Sequence, residues 1–237
     1  MKLSVIVPVY NEQGTIQEIV SRALEAEAPG FDKEILIVDD GSTDGTRRQI
    51  EESPWRSDPR VRVLANPINL GKGAAVRLGL ASAAGDVILI QDADLELDPR
   101  DYAALLAPFA DPATSVVYGS RFLGRRADIP ARARIGNWLL TTATNLLFGG
   151  RLTDMETGYK VFRREALAGI RLRAVGFDFE PELTAALLSA GRRIREVPIS
   201  YAPRGFDEGK KIRWVDGVDA LWTLLRYRLT RPRRAAA

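Results

Sequence analysis

Three apolar runs that end in polar or acidic residues constrain this chain more than any other feature. They are LSVIVPVY (3–10), EILIVDD (34–40) and DVILIQDAD (86–94). Runs that are apolar almost throughout, rather than at alternate positions, describe strands buried on both faces of a mostly parallel sheet. Helical patterns over 12–28 and 71–84 lie between them, and RVRVLA (60–65) and SVVYGSR (115–121) supply two more strands. The expected fold class is α/β, a mostly parallel central sheet with helices on both faces. Ligands in such sheets bind beyond the carboxyl ends of the strands. Polar clusters stand at those ends: Tyr10-Asn11-Glu12, Asp39-Asp40-Gly41-Ser42, Asp92-Ala93-Asp94 and Gly119-Ser120-Arg121.

The second half is less regular. A helix is expected over 135–148, turns in TDMETGYK (153–160), a helix over 178–190 and a strand in IREVPI (194–199). A last amphipathic helix over about 212–229 sets Val215, Val218, Leu221, Trp222, Leu225 and Leu229 on one stripe. Two readings of that stripe stand open: it closes the core or an interface, or it rests on an anionic membrane surface beside Arg226 and Arg228. The first residues lack the marks of a signal peptide, and no stretch reaches the roughly 20 apolar residues needed to cross a bilayer. The expected location is cytoplasmic, with any membrane contact peripheral.

Composition narrows the chemistry. The chain has no histidine and no cysteine, which excludes Ser-His-Asp and Cys-His nucleophilic sites and Cys or His zinc sites. Carboxylates, lysine, arginine, hydroxyls, backbone amides and a hard metal held by oxygen remain. Net charge is +3, and from Arg204 onward nine basic residues face four acidic ones. A basic carboxyl end suggests an anionic partner there. No nucleic-acid recognition motif accompanies it, and no nucleic-acid partner is expected.

Asp92 and Asp94 are the strongest candidates. Residues two apart in an extended segment point the same way, so both carboxylates would converge on one Mg2+ or Mn2+, with Glu96 as a third ligand and substrate phosphates completing the shell. The plainer alternative is that one aspartate caps the following turn. Asp40 is a candidate acceptor for a base or ribose, with Asp39 orienting the loop and Asp44 capping a helix from Thr46. Asn69-Leu70-Gly71-Lys72-Gly73 opens a helix whose N-terminus favours an anion, but the GxxxxGK[ST] and GxGxxG spacings are absent. Arg204 and Lys210, in RGFDEGKK, are candidate cations for a diphosphate. Asp154 and Glu180 are either acceptor-side carboxylates or structural caps and ion partners.

Taken in order, the blocks VIVPVYNE (5–12), IVDDGSTDGT (37–46), NLGKG (69–73), DAD (92–94), GSRF (119–122), TDMETGYKVF (153–162), GFDFEPEL (176–183), EVPISY (196–201) and RGFDEGKKI (204–212) form a known pattern. The chain resembles family 2 glycosyltransferases of GT-A fold, and more narrowly the polyprenyl-phosphate sugar transferases that use dolichyl phosphate. The resemblance implies one domain over 1–229, with a nucleotide-sugar half (1–122), an acceptor half (123–229) and a basic tail (230–237). It implies that Pro8, Tyr10, Glu12, Val38 and Asp40 hold base and ribose. Lys72, Asp92, Ala93, Asp94 and Glu96 would line the diphosphate and metal. Arg121, Arg204 and Lys210 would contact phosphates. The implied reaction is inverting, metal-dependent transfer of a hexose from GDP-mannose or UDP-glucose to polyprenyl phosphate, with Asp92, Asp94, Arg121, Asp154 and Glu180 as catalytic candidates. A glycan or small-alcohol acceptor is the alternative, and a nucleotidyltransferase the alternative of another class.

Overall fold

The computed structural model describes residues 1–124, 129–203 and 214–230, without the side chains of 214–216. One seven-stranded sheet runs through it. Its strands are β1 (Lys2–Val9), β2 (Asp32–Asp39), β3 (Val61–Ala65), β4 (Val87–Ile90), β5 (Val116–Ser120), β6 (Lys160–Arg163) and β7 (Ile194–Pro198). The order is β3-β2-β1-β4-β6-β5-β7. The first four are parallel, β6 runs against both β4 and β5, and β7 is parallel to β5. Around them lie α1 (Ile16–Glu25), α2 (Thr46–Glu52), α3 (Lys72–Ser82), α4 (Tyr102–Leu106), α5 (Ala131–Phe148), α6 (Phe179–Ser189) and α7 (Trp214–Thr230).

The apolar runs do what full burial requires. Val5, Val7, Ile35, Ile37 and Leu89 face one core with Ile16 and Ile19 of α1 and Leu105 of α4. Ile6, Leu36, Val38, Ile88 and Ile90 face the other, with Val76 of α3 and Leu183 of α6. Strand alternation thus serves two apolar layers.

The chain moves outward from β1 to β3 and then crosses back to β4. That reversal opens a crevice at the carboxyl ends of β1 and β4. Pro8 marks the same place. The even-numbered carbonyls of β1 at Lys2 and Ile6 accept from Asp86 and Gln91 on the β4 side, whereas β4 pairs with β1 only as far as Ile6 and Ile90. The donor that Pro8 lacks therefore falls beyond the end of β4, where no partner strand needs it.

Two expectations are corrected. Lys160–Arg163 is a strand, although the sequence reads as turns up to 160 and then gives too short a run, with cations at both ends, to mark one. Because β6 is antiparallel, the loop that feeds it (153–159) lies at the carboxyl ends of β4 and β5. On α7 the core-closing reading of the stripe falls, and the readings of an interface or a membrane surface stay open. Leu224 is fully buried and joins Leu152, Met155 and Ala185, with Tyr227 edge-on to Phe148. Val218, Leu221, Trp222, Leu225 and Leu229 are exposed, and Val215 lies outside the described side chains. No helix among the described residues is long and apolar enough to cross a membrane.

Candidate active site

The crevice is built by loops laced across the sheet edge. At the end of β1, the Asn11 amide donates to Ser42 Oγ at 3.0 Å and the Glu12 amide to Thr46 Oγ1 at 2.8 Å. In return the Thr43 amide donates to Asn11 Oδ1 at 2.8 Å. Tyr10 and Glu12 are half-buried on this loop, and Pro8 and Val38 sit beneath it as register partners across β1 and β2. Asp39 orients the next loop, accepting from the Ser42 amide and from Arg47. Asp44 accepts from the Thr46 amide at the start of α2, as its spacing predicts.

Asp40 also has partners within the chain. Its carboxylate is buried and accepts from Asn66 Nδ2 at 2.7 Å, from the Leu70 amide at 3.1 and 3.2 Å, and from the Gly71 amide at 2.7 Å. Three donors, one shared between both oxygens, thus occupy most of the acceptor sites of this carboxylate. Asp40 shapes the 66–71 loop, a role the spacing alone does not announce. Gly71 closes that loop at φ 99°, where a Cβ would also strike the Val175 carbonyl.

Lys72 follows directly, at the first turn of α3. A cation is disfavoured at a helix N-terminus, and two acids compensate. Lys72 Nζ lies 2.7 Å from Asp92 Oδ1 and 2.8 Å from Glu180 Oε1. Glu180 Oε2 lies 2.5 Å from Lys160 Nζ, which also donates to the carbonyls of Met155 and Thr157. Four side chains from α3, α6, β6 and the end of β4 thus alternate in charge and cancel. Burial works against the Lys72 charge, but Asp92 and Glu180 outweigh it and raise its pKa. Burial pushes Glu180 up, and Lys160 and Lys72 more than reverse this, holding it below the usual carboxylate range.

A second pair lies beyond β5. Arg121 grips Asp154 through Nε and Nη2, both at 2.7 Å, with its own amide at 3.0 Å. Asp154 is fully buried. Arg121 also stacks 5.2 Å from the Tyr201 ring, whose hydroxyl donates to Glu96 at 3.0 Å. Asp154 and Glu180 are therefore ion partners, and neither is a serviceable base: one has its oxygens taken by arginine, the other is held ionised by two lysines.

Asp92-Ala93-Asp94 is a turn, not an extended segment. β4 ends at Ile90, and Leu95 adopts φ 62°, so strand alternation does not aim the two carboxylates. Gln91 holds the turn from below, donating to the Asp92 and Leu97 carbonyls while its Oε1 accepts from Tyr102 and Tyr159. Asp94 Oδ1 accepts from the Glu96 amide at 3.1 Å. Glu96, the expected third ligand, turns to Tyr201. Among the described residues no three acids gather as a ready metal cluster.

The residues present still suit a hard divalent cation. Asp92 and Asp94 are oxygen donors at the crevice, and Mg2+ is commonly held by one or two carboxylates together with substrate phosphates. Asp92 already has a cation against it in Lys72, and its Oδ2 fits where a Cβ on residue 158 would intrude, so Gly158 leaves that space open.

Arg204 and Lys210 lie outside the described residues. Three residues escaped the sequence reading. Gln91 could have been noticed as a polar residue closing the apolar run ILIQ. Lys160 and Glu156 carry no spacing signal, since the side chains they meet, Glu180 and Asn137, are remote in sequence. The Glu156 amide donates to Asn137 Oδ1 at 3.3 Å, and burial pushes its carboxyl from 4.5 up to about 7, with Lys160 and Arg121 opposing and Glu180 and Asp154 reinforcing.

Comparison with known proteins adds the family. The undecaprenyl-phosphate mannosyltransferase of Micrococcus luteus is 30% identical, over 97% of this chain and 99% of its own. The polyprenol monophosphomannose synthase of Mycolicibacterium smegmatis is 33% identical over 84% of this chain and 77% of its own. Glucosyl-3-phosphoglycerate synthase from Mycobacterium tuberculosis, solved with Mn2+, uridine diphosphate and phosphoglyceric acid, superposes with a TM-score of 0.68. It covers 96% of this chain and 78% of its own at 24% identity, so it speaks for the fold, which is GT-A. Glycosyl transferase family 2 matches residues 4–171, and the chain belongs to that family of glycosyltransferases.

Proposed function

We propose that this enzyme transfers a hexosyl group from GDP-mannose or UDP-glucose to a polyprenyl phosphate, with inversion at the anomeric carbon. The observation that carries the reading is the meeting of Asp92 and Lys72 beside Asp94 at the crevice between β1 and β4. The names of the two relatives above favour mannose. Residues 1–122 would take the nucleotide and 123–229 the acceptor, within one domain.

Asp92 and Asp94 would hold Mg2+ or Mn2+, which when bound neutralises charge on the diphosphate. The bond from anomeric carbon to diphosphate oxygen breaks as one to the acceptor phosphate oxygen forms. Lys72 stands where negative charge grows on the leaving group, and Arg121 presents a fixed guanidinium to phosphate. Arg204 and Lys210 are further cations for the same anions. A phosphate monoester is already largely ionised near neutrality, its second pKa being about 6. No strong base is then required, which agrees with the locked states of Asp154 and Glu180.

Membrane contact belongs to the same reading. Ile135, Trp138, Leu139 and Leu146 on α5 and Val218, Leu221, Trp222, Leu225 and Leu229 on α7 form exposed stripes, with Trp138 and Trp222 each 63% exposed. Arg226 and Arg228 on α7 are exposed too. Tryptophan beside arginine suits the headgroup layer of an anionic leaflet, where a polyprenyl phosphate would reside.

A panel of nucleotide sugars with polyprenyl phosphate and Mg2+ or Mn2+, read by the mass of the lipid product, tests the proposal. A hexosylated lipid phosphate is expected, and its absence with every donor would overturn it.

A further inference from the structure

Glu156 Oε1 is shut off from solvent and accepts no hydrogen bond. The acids around it are matched: Glu180 by Lys72 and Lys160, Asp154 by Arg121. Glu156 has no such direct ion partner among the described residues, although Lys160 and Arg121 act on it from a distance. Native proteins rarely leave a buried acceptor unpaired, and such a group calls for a donor from outside.

Its position says which part of a ligand would arrive there. The loop 153–159 feeds the antiparallel β6 and so lies on the far side of β4 from the ends of β1 and β2. Gly158 of this loop backs Asp92 Oδ2, and Asp154 holds Arg121. Glu156 stands between those two contacts and is only partly buried. The terminal torsion of a glutamate is broad and roughly two-fold, so its two oxygens can exchange places when a donor arrives.

Phosphate does not fit: it is of like charge and, near neutrality, has little proton to offer. A neutral hydroxyl does, because it donates a hydrogen bond without bringing charge. We infer that Glu156 reads the hydroxyls of the hexosyl group, its carboxylate accepting their hydrogen bonds and so setting which sugar the donor carries. The inference rests on the reading that the crevice takes a nucleotide sugar. A carboxyl pushed up to about 7 by burial, and relieved by an incoming donor, agrees with that role.

Calorimetric binding of GDP-mannose and GDP, and of UDP-glucose and UDP, with Mn2+ present, tests it on the whole protein and on Glu156→Ala. The expected result is a loss of about ten-fold or more for the sugar nucleotide, as for a hydrogen bond to a charged group, with the matching diphosphate unchanged. Glu156→Gln, which keeps the shape and one acceptor oxygen, should lose less. Equal losses for sugar nucleotide and diphosphate, or no loss for either, would overturn the inference. If the unmodified protein binds none of the four, the reading of the crevice fails first and takes this inference with it.

Discussion

Lys72 Nζ and Asp92 Oδ1 meet at 2.7 Å across the carboxyl edge of the sheet, joining the first turn of α3 to the turn that follows β4. The pair puts an internal cation against the carboxylate proposed to face the metal and diphosphate. Glu180 shares that cation at 2.8 Å, so the lysine is structural and electrostatic at once.

Lys72→Met should therefore cost more than a surface charge. It leaves Asp92 and Glu180 without their shared partner, and breaking a buried pair from one side typically costs about 3–5 kcal/mol. Urea unfolding checks it. A loss well under 1 kcal/mol would contradict the pairing.

Gly158→Ala tests how closely Asp92 is cradled. The added Cβ would collide with Asp92 Oδ2, and a displacement of about 1 Å in a catalytic group can cost on the order of 100-fold in rate. Hexosyl transfer should fall by that order while far-ultraviolet circular dichroism stays unchanged. Full activity would mean that Asp92 does not need its present position.

Asp154→Asn separates ion partner from base. It leaves Arg121 buried with one acceptor oxygen in place of a bidentate carboxylate, so stability should fall by about 3 kcal/mol or more. The pH dependence of the remaining activity should keep its shape. Loss of an essential ionisation from that profile, with stability intact, would restore Asp154 as a base.

Glu156 makes stability depend on pH. Its folded pKa, about 7, lies above the ordinary 4.5, so the folded state binds the extra proton. The contribution is fully present below about 4.5 and is lost as pH rises through 7. Glu156→Gln does not titrate, so its Tm advantage over the unmodified protein should grow between pH 5 and pH 8, by several degrees if the cost reaches about 2 kcal/mol. A gap that is flat or narrows with rising pH would contradict it.

The exposed tryptophans are tested by flotation with anionic vesicles. The protein should float at low salt and less so at high salt, and Trp138→Ser with Trp222→Ser should weaken flotation at either. Salt-insensitive failure to float would count against membrane contact.

Much of this was legible in the chain. β1, β2 and β4 show themselves because burial on both faces demands continuous apolar runs, and the polar clusters at their ends lie on the edge that the topology makes into a crevice. What stayed hidden depends on contacts distant in sequence. Nothing near Lys72 announces Asp92 or Glu180, and nothing near Asp40 announces Asn66. The aim of Asp92 and Asp94 stayed hidden because the chain leaves the strand at Ile90, before the run DVILIQDAD reaches either carboxylate. On α7 a periodic apolar stripe is evidence of a helix, but not of the side that packs: the fold buries Ala220 and Leu224 instead.

Phosphate, not an alcohol, is the proposed acceptor of the sugar. The most direct measurement offers the enzyme GDP-mannose or UDP-glucose and Mn2+ with polyprenyl phosphate in one arm and the dephosphorylated polyprenol in the other. A hexose linked through phosphate to the lipid is expected in the first arm and no product in the second. Transfer to the alcohol, and never to the lipid phosphate, would contradict it.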